Sequence, residues 1–551
     1  MKSHRLFLPA IALFLLTLGG CGNRMEIPEG LTGILEIKKT PLFLERENKA
    51  MVTIHLEIAD SVAVLELSKV RLVFGSKGNP EMLEGIVLNH SADNFEVEKE
   101  QMGLAYNAPF RGKAGTIELD VKLPLETGMH KLSLDFSLFD DAPLEQSFAL
   151  EEVQLVFGKN QFLGLEQKEA FQFRPAIVVR SAGQDGSDTY RIPGLITTNE
   201  GTLIAVYDIR YNNSKDLQED IDVGMSRSTD GGQSWEPMKV IMDMGEWGGR
   251  PQNLNGIGDP SVLYDHTSHT IWVAALWLSG ASIDAMNWWA SRPGMAPDET
   301  GQFILVKSTD DGLNWSEPIN ITEQIKDPDW QLLLAGPGRG ITLEDGTLVF
   351  PAQFKKDIGE KAIDGGQYTC HSTIVYSKDG GQTWQIGSGA KPNTTEAQVV
   401  QLTDGSLMIN MRDDLNRNDK GENNGRAVSF SRDLGKTWTP HPSSNHALPE
   451  PNCMASLIAH NIRKDDTGQR VLIFSNPNSK TERINMTIKL SLDEGNTWPE
   501  AHQVLLNEAS GFGYSCITMV DEQTIGILYE GFKNLYFQKI QITELLPKTM
   551  E

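Results

Sequence analysis

Between Met25 and Asn160 apolar and polar residues alternate with a period of two. Val52, Ile54, Leu56 and Ile58 fall on one side of an extended segment, with Thr53, His55 and Glu57 on the other. Ile117, Leu119, Val121 and Leu123 repeat the pattern, as do Leu132, Leu134, Phe136 and Leu138. A pleated strand turns successive side chains to opposite faces, so each run reads as a half-buried antiparallel strand. With Gly, Asn, Asp and Pro between the runs, residues 21–160 are predicted to fold as a β-sandwich. Such a module on an exported enzyme either binds carbohydrate or serves as a packing spacer. This stretch has no Trp to form a sugar platform.

Residues 161–174 are polar with scattered apolar positions and are predicted to be a linker. Beyond them lie all eleven Trp residues, the first being Trp235. Here the pattern S-x-D-x-G-x-x-W opens at Ser228, passes Asp230 and Gly232 and ends at Trp235. It returns at Ser308, Ser377, Ser431 and Ser491, at intervals of 80, 69, 54 and 60 residues. Ser and Asp oxygens can accept backbone N–H groups in a turn, Gly supplies a positive φ and Trp anchors the turn in the core below. The spacing fits one four-stranded propeller blade of about 40–50 residues plus insertions. The chain is therefore predicted to be all-β, with the sandwich followed by a six-bladed propeller over residues 175–551. The sixth blade would form after Trp498 and be closed by a strand near Ala176 to Arg180.

A chain of 551 residues accommodates two such domains. Its net charge of −25 argues against a nucleic-acid or anionic-membrane partner. The four cysteines, Cys21, Cys370, Cys453 and Cys516, form no C-x-x-C pair, and no H-E-x-x-H is present. Neither a disulfide framework nor a zinc site is expected. At the N-terminus Lys2 and Arg5 precede an apolar run from Leu6 to Leu18, then Gly-Gly-Cys21. This resembles a bacterial lipoprotein signal: residues 1–20 would be removed, Cys21 lipidated and the protein tethered to the cell envelope. A simple signal peptide cut nearby is the alternative. Loss of Lys2 and Arg5 would take the charge to −25 − 2 = −27.

Just after the predicted closing strand come Thr189, Tyr190, Arg191, Ile192, Pro193 and Gly194. An Arg-Ile-Pro segment upstream of several such boxes resembles the sialidase (neuraminidase) superfamily, over about residues 175–540. The resemblance implies hydrolysis of terminal sialic acids on glycoconjugates with no cofactor or metal, so sialylated glycans are the expected partners. It also implies three arginines converging on the sugar carboxylate. Arg191 matches the first, Arg412 in Ile-Asn-Met-Arg412-Asp the second, and Arg483 in Thr-Glu-Arg483-Ile-Asn the third. A planar guanidinium suits that task because it meets a carboxylate through two parallel hydrogen bonds and stays charged.

Sialidases use a tyrosine nucleophile where other retaining glycosidases use a carboxylate. A neutral hydroxyl avoids repulsion at a centre that already bears a carboxylate. The resemblance assigns this role to Tyr514 in Gly-Phe-Gly-Tyr514-Ser, with Glu396 as its base. It assigns Arg210 to the sugar pocket and Asp216 as acid/base, although Asp220 and Asp222 lie close behind. The working pKa of Asp216 is expected to rise on burial when substrate closes the site. Asp259 resembles the aspartate that meets the sugar O4 hydroxyl, with a turn before Pro260 as the alternative. Glu530 resembles the carboxylate that orients the first arginine. Trp288 and Trp289, in an insertion from Ser279 to Phe303, are candidates for an N-acetyl wall, with an ordinary packed loop as the alternative and Trp277 in competition. The same residue set also serves an intramolecular trans-sialidase that releases an anhydro sugar. A non-catalytic lectin that keeps only the arginines is the third reading.

Overall fold

The computed structural model describes residues 27–61, 64–92, 104–106, 115–158, 161–167, 169–464 and 467–546. The expected leader and Cys21 lie outside them. Among the described residues, the α-helix is limited to two single turns, Asn287–Ala290 and Thr322–Ile325. The rest is built of strands, 3-10 turns and loops.

The N-terminal sandwich packs two sheets face to face. One orders the strands Leu31–Ile37, Asn48–Ile58, Gly128–Leu138, Leu83–Ala92 and Leu104–Tyr106; the other orders Gln161–Glu166, Phe148–Phe157, Leu65–Gly78 and Thr116–Leu125. Along Thr116–Leu125 burial alternates residue by residue, as the sequence pattern requires. Residues 161–174 are not the expected linker. Gln161–Glu166 pairs with Phe148–Phe157 over six residues, and Gln172–Phe173 adds to the same strand. Leu163, Leu165, Phe171 and Phe173 enter the core, while Glu166 and Glu169 are exposed and Gln167 and Gln172 half-exposed at the sheet edge. An edge strand with one wet face has the composition of a linker, which is why periodicity alone misplaced the boundary.

Six sheets of four or five strands follow around a common axis. Their inner strands are Thr189–Thr197, Ile257–Asp265, Leu332–Ala335, Thr394–Gln401, Ser456–Lys464 and Ser515–Met519. The sixth sheet completes the ring: Pro175–Arg180 pairs antiparallel with Leu535–Gln541, which joins Thr524–Glu530 and Ser515–Met519. The first and last strands of the propeller are thus paired with each other, which closes the ring.

The five boxes are turns of one geometry. Gly232, Gly312, Gly381, Gly435 and Gly495 donate their N–H to the hydroxyl of the box serine at 2.8–2.9 Å. Each serine hydroxyl in turn donates to the box aspartate. At Gly232 φ is +89° and an added Cβ would lie 2.1 Å from the Phe537 ring, so both conformation and space demand glycine. Box tryptophans join neighbouring blades: Trp235 meets Phe537 at 5.3 Å between ring centroids, and Trp384 meets Trp272 at 5.9 Å.

The two modules share one core. A continuous apolar cluster runs from Leu56, Phe136 and Phe173 in the sandwich to Tyr207 and Phe537 in the first and last blades. Leu42–Phe43, from a sandwich loop, pairs parallel with Pro175 and Ala176 at the rim of the closing blade. Arg174 grips Glu544 through two hydrogen bonds of 2.9 and 2.5 Å. The sandwich is thus packed onto the ring.

Candidate active site

The inner strands break their regular pairing where site residues stand. Register shifts fall between Arg191 and Gly194, between Gly258 and Ser261, and between Thr395 and Ala397. Ile192 and Asp259 have φ of +58° and +55°. For a β-branched residue such as Ile192 that is a strained conformation, which persists only where surrounding contacts enforce it. A bulge frees a backbone N–H from the ladder, and here each is captured by a side chain from the second strand of a blade. Glu530 accepts from Ile192 N at 2.9 Å, Asp208 accepts from Asp259 N at 2.9 Å, and Gln353 accepts from Glu396 N.

This arrangement re-aims side chains into a cavity of about 330 Å³ at one end of the axis, lined in part by Arg191, Asp216, Asp259, Glu396, Arg412, Arg483 and Tyr514. The Tyr514 hydroxyl donates to Glu396 Oε1 and accepts from Arg412 Nη1 at 3.1 Å. Arg412 also donates to Glu396 Oε2 at 2.6 Å and to Asn452 Oδ1 at 2.9 Å. The guanidinium carbons of Arg191 and Arg483 lie 5.2 and 5.6 Å from the Tyr514 ring centre. Three arginines from separate blades therefore surround one phenol. Arg483 is held by Phe512 O at 2.7 Å and Asn452 O at 3.2 Å.

Glu530 serves both sides of the site. Fully buried, it accepts from Arg191 Nε at 3.1 Å and, through its other oxygen, from Tyr514 N at 2.9 Å. Asp216 Oδ1 accepts from Arg210 Nη1 at 2.8 Å and from Arg191 Nη1 at 3.2 Å, with 54% of the side chain exposed. Asp222 instead accepts from the Tyr211 hydroxyl at 3.0 Å, and neither it nor Asp220 lines the cavity. Asp216 is thus the one of the three acids that faces the pocket.

The charges shift one another. Burial alone would raise the pKa of Glu396, but Arg412, Arg483 and the Tyr514 hydrogen bond hold it below the usual carboxylate range. The Tyr514 phenol is pushed well up, by burial first and by the Glu396 charge second, against the opposing pull of Arg412 and Arg483. Asp259 is also pushed well up, by burial and then by Asp208 and Asp216. Asp216 lies below its ordinary value: burial raises it, but Arg210 and Arg191 outweigh that. The rise expected for Asp216 is therefore not a property of the open site, where two guanidiniums favour its anion.

The far wall is apolar. Leu217, Leu276, Leu332 and Leu334 cluster with Trp288, whose indole N–H donates to Asp364 at 3.1 Å. Lys355 runs beneath, its ammonium 4.2 and 4.6 Å from the Trp288 and Trp289 rings. Trp277 does not compete for this wall; it packs against Trp247 in the core between the first two blades. Sequence reasoning missed Asp208, Gln353, Asn452 and the buried Arg426–Glu450 pair, in which Arg426 also donates to the Glu396 carbonyl at 3.3 Å. For Asp208 and Gln353 there was a signal: each is a polar residue set between apolar ones within its strand, Tyr207 and Ile209 in one case and Ala352 and Phe354 in the other.

A family model for a BNR repeat-like domain matches residues 201–527. The chain is 50% identical over 390 residues to a sialidase of Bacteroides fragilis (strain YCH46), an alignment covering 71% of this chain and 69% of that protein. This chain belongs to the sialidase family. It is also 31% identical over 372 residues to a sialidase of Paraclostridium sordellii, covering 64% of this chain and 83% of the relative. Among solved structures, "Hadza microbial sialidase Hz136" is similar with a TM-score of 0.77 and 39% identity, over 93% of this chain and 100% of the other. As a sialidase the protein is a glycoside hydrolase, and its all-β propeller agrees with the sequence-based expectation.

Proposed function

We propose that this sialidase is an exo-acting, retaining hydrolase of terminal α-linked sialic acids on glycoconjugates. The observation that carries the reading is the Tyr514 hydroxyl donating to Glu396 inside a ring of Arg191, Arg412 and Arg483. On a protein of charge −25, that local positive cluster is what draws in an anionic sugar. The three guanidiniums take its carboxylate. Tyr514 Oη then bonds to the anomeric carbon as its proton passes to Glu396, and the departing glycan oxygen takes a proton from Asp216. In the second half, water attacks the anomeric carbon and loses its proton to Asp216, and Glu396 returns its proton to the phenolate as the tyrosyl bond breaks. The high pKa of the buried phenol supports this order, because Tyr514 keeps its proton until attack and needs a base in contact. Asp259 and Arg210 are assigned to the sugar pocket, and Asp259, its pKa pushed well up by burial and then by Asp208 and Asp216, suits a hydroxyl partner.

Tyr514→Phe tests the assignment. Release of a fluorogenic phenol from its sialoside should fall at least about a hundredfold; a near wild-type rate refutes the nucleophile. Internal transfer to the O7 hydroxyl is the second reading, favoured by the Trp288–Trp289 wall as a barrier to water. NMR of the released sugar separates the two, since hydrolysis gives free sialic acid and transfer gives an anhydro product. We also infer export and lipidation at Cys21, so Cys21→Ser should move the protein from the membrane fraction to the soluble one. An unchanged distribution would refute the anchor.

A further inference from the structure

Arg191, Asp259 and Glu396 stand near the beginnings of inner strands, and Tyr514 just before one. Followed to their other ends, the same strands reach a second cavity of about 210 Å³, lined in part by Tyr264, His266, Arg339, Val400, Ile458 and Arg470. It therefore lies at the opposite end of the propeller axis. An adjoining hollow of about 410 Å³ shares Ala459 and Arg470 with it and reaches His460 and Gln523.

Two guanidiniums here have less negative charge around them than such groups ordinarily require. Arg339 makes no ion pair among the described residues. Its Nη1 donates to Ile517 O at 3.2 Å and to Thr518 Oγ1 at 3.4 Å, and its buried Nε has no partner. Burial pulls its pKa below the ordinary arginine value, and no carboxylate offsets the effect. The Nε of Arg470 is likewise buried without a partner, while its Nη1 reaches Glu344 only at 3.5 Å. That carboxylate is 73% exposed, so water screens it. His266 stands beside them, its pKa lowered by burial and by the Arg339 charge. Glu522 borders the adjoining hollow and Asp265 adjoins His266.

A partly buried arginine short of counter-charge is costly, and each buried N–H left unbonded, here the two Nε groups, adds to the cost. The group that resolves both is a planar or tetrahedral oxyanion, which meets the guanidinium fork through parallel hydrogen bonds. We propose that Arg339 and Arg470 form a second anion site on the face of the propeller opposite the catalytic pocket, taking a small carboxylate or phosphate. The catalytic residues are not needed for it.

The test is thermal melting of the full chain at constant ionic strength against inorganic phosphate and, separately, acetate. The catalytic pocket is kept saturated with a 2,3-dehydro sialic acid so that its arginines do not contribute. The wild type should melt higher in a saturable manner with at least one of the two anions, and the lower half-saturation assigns the oxyanion. Arg470→Gln and Arg339→Gln should each weaken half-saturation by about tenfold or more. Aryl sialoside turnover should be unchanged in Arg470→Gln. If Arg339→Gln fails to fold, the partly exposed Arg470 carries the test. No saturable rise in the wild type, or equal half-saturation in the wild type and Arg470→Gln, overturns the proposal.

Discussion

Glu530→Gln separates a positioning role from bulk packing, because the side chain keeps its size and loses only charge and one acceptor. In the native site one carboxylate oxygen accepts from Arg191 Nε at 3.1 Å and Ile192 N at 2.9 Å, and the other accepts from Tyr514 N at 2.9 Å. An amide cannot satisfy all three. Its less costly orientation keeps the carbonyl on Arg191 and Ile192 and turns the NH2 toward the Tyr514 N–H, donor against donor. That leaves one buried amide unbonded, worth about 1–3 kcal/mol. It also strips the nearly buried Arg191 of its inner counter-charge, where breaking a buried pair costs about 3–5 kcal/mol. Asp216, 3.2 Å from Arg191, offsets part of this. A net loss of roughly 3–5 kcal/mol in stability is expected, read as a lower urea midpoint. Because Arg191 and Tyr514 are both released, KM should rise and kcat fall together, lowering kcat/KM roughly a hundredfold on an aryl sialoside. A variant with wild-type midpoint and wild-type kcat/KM would refute the view that this carboxylate sets the site's geometry. Loss of stability with kinetics intact would assign it to the fold alone.

Asp216→Asn should slow release of a sugar leaving group about 10²–10⁴-fold but that of a good phenolic leaving group only a few-fold, and equal losses would contradict its role as acid. Since Arg210 and Arg191 favour its anion in the open site, kcat/KM for sugar leaving groups should decline as pH rises above the acidic range, as a pH–rate profile would reveal. Lys489 is 1% exposed, and burial lowers its pKa to about 7. Between that value and the unfolded one near 10.5 the unfolded chain binds the extra proton, so stability should rise with pH across this window. Lys489→Met should flatten the rise and stabilise most near pH 6, by up to a few kcal/mol in urea unfolding; an unchanged pH slope would exclude a buried, neutralised lysine. Gly232→Ala should cost about 2–4 kcal/mol by the same measurement, through its positive φ and the Phe537 ring, and a neutral effect would contradict the turn geometry.

Much of the scaffold was legible because it repeats. A box that recurs with the same Ser, Asp, Gly and Trp carries the same turn each time, and period-two runs such as Ile117 to Leu123 carry their own facing. The gathering of Arg191, Arg412, Arg483, Glu396 and Tyr514 was foreseen only through the family resemblance, since nothing local to any one of them specifies the others. What stayed hidden depends on long-range pairing. Leu42–Phe43 is too short to show a period, and its partner lies more than a hundred residues away. Asn452 reads as an ordinary loop residue, yet its side chain accepts from Arg412 and its carbonyl from Arg483. The linker misreading at residues 161–174 has the same origin, because an edge strand is defined by the neighbour it pairs with.

The latch of the ring sets a timetable for its biosynthesis. Leu535–Gln541 is hydrogen-bonded between a strand made just before it and the one that opens the propeller, with Gln538 reaching Pro175 across 363 positions. Until Leu535–Gln541 is translated, the blades form an open crescent with raw edges at both ends, the state most exposed to misassembly. A transcript cut short before Leu535 would yield a horseshoe that cannot shut, and not a smaller working enzyme.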